Sequence, residues 1–245
     1  MRQTFPFLLF TCEHASAFVP TNYTQVLRGS KLRGTHRELD IGALAVASFL
    51  ARQLNAPLYA GGISRLLVDM NRSAHNPAVL SPVARALPLN EQRALLARYH
   101  ERHWKKVRDH VSKALDSHRK VVHIAVHSFT PILVHENGLK DVRTADIGLL
   151  YDPRRTPERL MAQKWASALR DAAPDFRVRR NYPYQGKGDG LATSLRGQFS
   201  AARYVAFELE VNQALLTGKP SPSLLAALVA SLVGLGLAGT GYGVG

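Results

Sequence analysis

Apolar residues along this chain fall into short continuous runs separated by amphipathic stretches. Residues 7–12, FLLFTC, form the first run and read as a buried strand. A loop follows to about Gly34. THRELDIGALAVASFLARQL then opens with Thr35 and Glu38 at capping-box spacing and repeats apolar or small residues at helical period from Ile41 to Leu54. APLYAGG and RLLVD are short strand candidates, and NPAVLSPVARALPLN, with its several prolines, reads as a loop. A long helix is predicted from about Asn90 to Ser117. VVHIAVHS and ADIGLLYD are further buried strands, and TPERLMAQKWASALRDA has a Thr cap, Pro in the first turn and helical period. FRVRRNYPYQGKGDG reads as a strand running into a glycine-rich loop that forms a mobile lid, ARYVAFELEVN as a late strand, and SLLAALVASLVGLGLAG as a closing helix.

Strands alternate with helices throughout, which predicts an α/β fold with a mixed, mostly parallel sheet between helical layers. No repeat and no linker interrupts the pattern, so residues 1–245 read as one catalytic-sized domain. The 46% apolar content is enough for a full core. The closing apolar run falls just short of a membrane span and is broken by Gly234, Gly236 and Gly239, so it reads as a packed helix with a loose glycine tail. FPFLLF is too short for a secretory signal and has no basic lead beyond Arg2. The single cysteine, Cys12, excludes an internal disulfide and fits a reducing cytoplasmic setting. The formal charge of +14 raises the question of nucleic acid, but the arginines are scattered and no basic-aromatic motif appears.

Ligands of such folds bind at the carboxyl ends of the strands. Glu13 and His14 stand there after the first strand, Asp69, Asn71 and Arg72 after RLLVD, His127 and Ser128 at the end of HIAVHS, and Glu208 and Glu210 in the late strand. Two histidines at separate strand ends, with Asp40 near a helix start, make a zinc triad plausible; the spacing alone leaves structural histidines equally open. His100 and His103 share a helix face at i, i+3, one residue short of HExxH, and fit an ordinary helix surface, although Tyr99 and His100 can reach a pocket edge. Glu208 and Glu210 lie two apart and so face the same side. In a central strand they must be paired, metal-bound or shifted in pKa; on an edge strand they are solvated. Arg72 can hold a substrate carboxylate bidentately or pair with Asp69. GKGDG lacks the spacing of a phosphate loop. Cys12 lies inside the apolar run, which argues for a core thiol over a Cys–His nucleophile.

The motifs CEHAS with a nearby Pro20, HRELDIGA, SRLLVDMNR, YHERH, HSFTP and ELEVNQ occur in the order seen in the N-formylglutamate amidohydrolase family, and the resemblance covers most of residues 9–215. It implies a three-layer α/β/α hydrolase fold and metal-dependent hydrolysis of an amide that bears an acidic group. Carried over by position, His14, Asp40 and His127 resemble the metal ligands, with Glu13 and His36 as alternates for the third. Zinc is the implied metal. Glu210 resembles the general base, with Glu208 able to exchange roles. Arg72 and Asn71 resemble the holders of a substrate carboxylate, with Ser128 and His100 at the substrate's edge. The YQGKGDG loop and the LATSLR segment depart from the family pattern, so substrate choice is less defined than membership.

Three functions follow from these readings. The first is a zinc-dependent hydrolase of a small anionic N-acyl amino acid. The second keeps the fold and cuts a peptide or cell-wall amide. The third is a basic, non-enzymatic nucleic-acid-binding protein, which the absence of a clustered basic stripe disfavours. A membrane partner is not expected, and the sequence leaves the oligomeric state open.

Overall fold

The computed structural model describes residues 5–135 and 137–238. Arg2 and the glycine tail from Gly239 onward lie outside the described residues. Its strands are β1 (Phe7–Cys12), β2 (Leu58–Ala60), β3 (Val121–Phe129), a separate hairpin of β4 (Ile132–Val134) and β5 (Lys140–Val142), then β6 (Ile147–Leu150), β7 (Val178–Arg180) and β8 (Tyr204–Asn212). The hairpin aside, they form one six-stranded sheet in the order β2-β1-β3-β8-β6-β7. The first four positions are mutually parallel; β6 runs antiparallel to β8 and carries β7 parallel to itself. The expected mixed, mostly parallel α/β sheet is therefore the observed one.

The helices are α1 (Ala43–Gln53), α2 (Pro82–Arg85), α3 (Leu89–Leu95), α4 (Arg102–Ser117), α5 (Thr156–Ala172), α6 (Leu191–Gln198) and α7 (Pro222–Gly234). Side chains alternate across a strand, so each strand serves two layers. Phe10, Ile124 and Phe207 face α1, α5 and α7, where they meet Val46, Leu50, Trp165 and Leu228. Trp165 and Phe207 pack edge to face at 5.6 Å, and truncating either to Ala costs about 3–5 kcal/mol. Leu9, Val121, Tyr204 and Ala206 face the other way, onto Val107 and Val111 of α4 and Leu191 and Leu195 of α6. This second face changes character along its length. Toward the carboxyl ends the same alternate positions become Thr11, His123, His127, Glu208 and Glu210.

Several elements differ from the sequence pattern. The first helix begins at Ala43, not at Thr35. The capping-box pair instead closes a turn: Gly34 N–H donates to Glu38 Oε2 at 2.6 Å and Thr35 Oγ1 donates to the carbonyl of Leu32. Gly42, with φ of 78°, separates that turn from the helix, and a Cβ there would lie 2.6 Å from Leu216 Cβ. RLLVD is a bonded turn rather than a strand, touching the strand geometry only at a Val68–Leu80 bridge. The proline-rich loop contains α2 and the start of α3. The long helix is real but interrupted, because Leu96–Glu101 adopt a π-helical turn between α3 and α4. The β4–β5 hairpin and α6 had no counterpart in the sequence reading; LATSLRGQ is a helix that starts after Gly190. The closing helix ends at Gly234, as its glycines predict, and no helix among the described residues is long and apolar enough to cross a membrane.

Candidate active site

The polar ends of β1, β3 and β8 open into a cavity of about 350 Å³, a size suited to a small molecule. Its walls include His14, Asp40, His127, Glu208 and Glu210, together with Arg65, Asp69, Asn71 and Arg72. A wider, more apolar groove at the amino ends of the strands, lined by Phe5, Leu54, Pro57 and Met161, has no carboxylate among its described residues.

Glu13 and His14 follow directly from β1. The turn is fixed where Gly61 N–H donates to Cys12 O at 2.8 Å, and Gly61 leaves room for the chain: a Cβ there would sit 1.9 Å from the Glu13 carbonyl oxygen. Asp40 reaches the same point from the loop before α1, held by its own N–H donating to His14 O at 3.0 Å. His127 arrives on β3, in register with Glu210 of β8. His14, Asp40 and His127, all buried, each place a ligand atom within 4.8 Å of those of the other two.

His14 is hydrogen-bonded at both ring nitrogens and His127 at Nδ1, while His127 Nε2 is within ion-pair distance of Glu13. His14 Nδ1 lies 3.3 Å from Asp40 Oδ2, and its Nε2 lies 2.7 Å from Asp69 Oδ1. His127 Nδ1 lies 2.8 Å from the same Asp40 oxygen, and its Nε2 lies 3.1 Å from Glu13 Oε2. The two rings thus turn Nδ1 toward one shared carboxylate and Nε2 toward separate outer carboxylates. Two imidazoles and a carboxylate form a typical zinc donor set, and outer carboxylates on the second ring nitrogens are the usual support of such ligands. The donor set therefore fits a divalent cation.

The electrostatics follow from burial and pairing. Burial disfavours the charged form of His127, but its partners Asp40 and Glu13 outweigh this and raise its pKa well above the ordinary value. Burial likewise pushes Glu13 upward, and His127 reverses this to leave it at about 2. Asp40 and Asp69 are held well below the carboxylate range against burial, chiefly by His14 for both. Glu210 behaves in the opposite way. Burial raises it, His127 opposes, and Asp40 and Glu208 add to the rise, placing it at about 8. Glu208, partly open to the cavity, is also raised, mainly by burial. Glu210 Oε2 is buried without a hydrogen-bond partner, as are both carboxylate oxygens of Glu13. Cys12 is buried, and its thiol is pushed far up by burial, as a core residue rather than a nucleophile requires.

The remaining sequence candidates divide. Arg72 and Asn71 line the cavity. Asn71 Oδ1 also accepts the N–H of Leu191 at 3.2 Å, which ties it to the start of α6. Ser128 lines the cavity, but its hydroxyl is engaged: it donates to Ile41 O at 2.8 Å and accepts from Gln213 Nε2 at 3.1 Å. His36 lines the cavity apart from the His-Asp-His cluster. His100 does not stand among the lining residues. It comes from the π-helical turn, donates Nε2–H to the carbonyl of Arg72 at 2.6 Å and stacks on Trp104, whose Nε1–H donates to Met70 O at 2.8 Å. The π-helical turn thus holds the backbone that presents Asn71 and Arg72.

Arg65, Tyr184, Gln185 and Asp189 also line the cavity, with no role in the sequence reading. Arg65 bridges Asp40 at 3.4 Å and Asp69 at 3.1 Å, so its charge balances the cluster's carboxylates. The i, i+4 spacing of Arg65 and Asp69 was its only signal in the sequence. Tyr184, Gln185 and Asp189 come from the glycine-rich loop. That loop is not a free lid. Asp189 Oδ2 accepts from Ser73 N–H at 3.0 Å and from Asn76 Nδ2 at 2.6 Å, and Arg196 donates to Gly186 O at 2.7 Å. It is a fastened wall of the cavity.

Comparison with known proteins gives three results. The family described as N-formylglutamate amidohydrolase matches residues 7–217. No curated protein matches the chain significantly. Among solved structures, a gene product of Agrobacterium tumefaciens is similar with a TM-score of 0.74 and 27% identity, over 94% of this chain and 88% of that one. An N-formylglutamate amidohydrolase from Ralstonia eutropha is similar in fold, with a TM-score of 0.67 and 20% identity over 96% of this chain and 93% of that one.

Proposed function

The chain belongs to the N-formylglutamate amidohydrolase family, hydrolases of carbon–nitrogen bonds, and on that premise we propose that it cleaves the amide of a small N-acyl acidic amino acid, an N-formyl one foremost, with zinc as its metal. The observation that carries this reading is the convergence of His14, Asp40 and His127 at strand ends beside Glu210, with an outer carboxylate on each ring. These three residues would hold the ion. A bound zinc supplies a Lewis acid that polarises the amide carbonyl and brings the acidity of the attacking water toward neutrality.

The chain's own residues do the rest. Glu210 accepts the proton of the attacking water and passes it to the leaving amine nitrogen. Its position at about 8, raised by burial and by Asp40 and Glu208, keeps both directions of transfer accessible near neutral pH. Glu210 lines the cavity, where its carboxylate can meet that water. Glu208, two residues back on the same face, holds Glu210's proton affinity up. Arg72 holds the substrate carboxylate: its side chain is 42% exposed and its nearest carboxylate oxygen, on Asp69, is 3.9 Å away, so its donors are open to a ligand. Asn71 stands beside it. Residues 1–245 act as one catalytic domain, and the cavity of about 350 Å³ favours a small molecule over a peptide or cell-wall strand. A substrate panel of N-formyl-L-glutamate, other N-acyl amino acids and peptidoglycan fragments tests this choice. Turnover of peptidoglycan fragments alone would replace it with the peptide reading.

A further inference from the structure

Arg143 is the least expected charge near the cavity. It is 5% exposed, yet among the described residues no carboxylate pairs closely with it. The nearest carboxylate oxygen among the described residues, Oδ2 of the exposed Asp141, is 3.9 Å from its Nε, and that Nε has no hydrogen-bond partner. A buried guanidinium without a counter-charge is costly unless something else supplies the anion. Arg65 shows the contrast, since both of its terminal nitrogens meet carboxylates.

What Arg143 does contact is Tyr184. Its Nη1 donates to the phenol oxygen at 2.9 Å, and its guanidinium carbon lies 4.8 Å from the ring centre. Tyr184 lines the cavity, 47% exposed. Because the phenol oxygen accepts from Arg143, its own O–H remains to donate toward the cavity. His36, also on the wall, feels the same charge: burial lowers its pKa first, and Arg143 is among the cations that lower it further.

We propose that Tyr184, backed by Arg143, is a specificity-determining subsite for the second carboxylate of a dicarboxylic substrate, separate from the carboxylate held by Arg72. This rests on the amidohydrolase reading and narrows it, since a substrate with one carboxylate leaves the Arg143 charge unanswered. Tyr184→Phe keeps the ring and its contact with the guanidinium and removes the phenol oxygen, which is both the donor to the ligand and the acceptor for Arg143. With N-formyl-L-glutamate its KM rises about tenfold or more, the scale of one hydrogen bond to a charged group. With N-formyl-L-norvaline, which lacks the second carboxylate, KM changes less than twofold, and kcat stays near wild type for both. Arg143→Gln gives the same selective loss. A calorimetric arm uses glutarate and butyrate with no turnover needed: wild type prefers glutarate, and Tyr184→Phe loses the preference. Equal effects on both members of each pair, or no effect on either, overturn the subsite. Absence of hydrolysis of any N-acyl amino acid overturns the amidohydrolase reading instead, while the glutarate preference still decides for or against the subsite.

Discussion

Asp40 Oδ2 lies 2.8 Å from His127 Nδ1, although 87 residues separate the two in the chain. The same oxygen lies 3.3 Å from His14 Nδ1, so one carboxylate on a loop before α1 joins the ends of two parallel strands. The proposed hydrolysis depends on that junction. It brings together the three groups proposed to hold the metal, and it sets the charge beside Glu210.

The junction has an outer layer, and Glu13 tests it. Glu13→Gln keeps the shape beside His127 Nε2 and removes the charge. Zinc affinity, measured by competition with a chromogenic chelator, should fall about 10- to 100-fold, the usual effect of losing an outer carboxylate on a metal-bound imidazole. Unchanged affinity would reduce Glu13 to a packing residue.

Glu210 is assigned the proton transfers, so its loss should appear in turnover rather than in binding. For Glu210→Gln we expect kcat to fall by about two to four orders of magnitude, with zinc affinity within a few-fold of wild type. Glu208→Gln should lose less. The reverse ranking would make Glu208 the base, the exchange that their shared face permits.

His123 gives a prediction about stability that involves no metal. It is fully buried, between Thr11 Oγ1 at 2.8 Å and the Tyr204 hydroxyl at 2.7 Å, and burial lowers its pKa from 6.5 to about 4. The unfolded chain takes up a proton below pH 6.5 while the folded protein resists until about pH 4. The stability that His123 provides is therefore complete above pH 6.5 and is lost as pH falls through that window. Relative to His123→Gln, wild type should lose about 2 kcal/mol of its urea-unfolding free energy between pH 7.5 and 5. A difference that does not vary with pH would show that His123 does not titrate in this way.

The period-2 pattern of ARYVAFELEVN puts Glu208 and Glu210 on one face, and VVHIAVHS carries His127 at its end; in the structure both strands are central and all three residues share one face. Strand periodicity survives because the neighbouring strands and helices enforce it on both sides. Local signatures fared worse. Thr35 and Glu38 have helix-start spacing, but the left-handed Gly42 and the need to bring Asp40 to His14 make them a turn. RLLVD has a strand's composition, yet its backbone bonds back on itself through Ser64 and Leu67. Tyr184 and Asp189 owe their places to long-range partners, which no spacing along the chain reveals, and so does the contact of Arg65 with Asp40. His100 was legible as a residue near the site but not as a support for the Arg72 backbone, because that role depends on the π-helical turn.

The most direct test is a zinc titration of the chelator-stripped protein with N-formyl-L-glutamate as substrate. The account predicts negligible hydrolysis by the stripped protein, recovery that rises linearly to a plateau at one equivalent of zinc, and loss of both binding and recovery in His14→Ala, Asp40→Ala and His127→Ala. Full activity in the stripped protein, or stoichiometric zinc binding that survives those three substitutions, would contradict it.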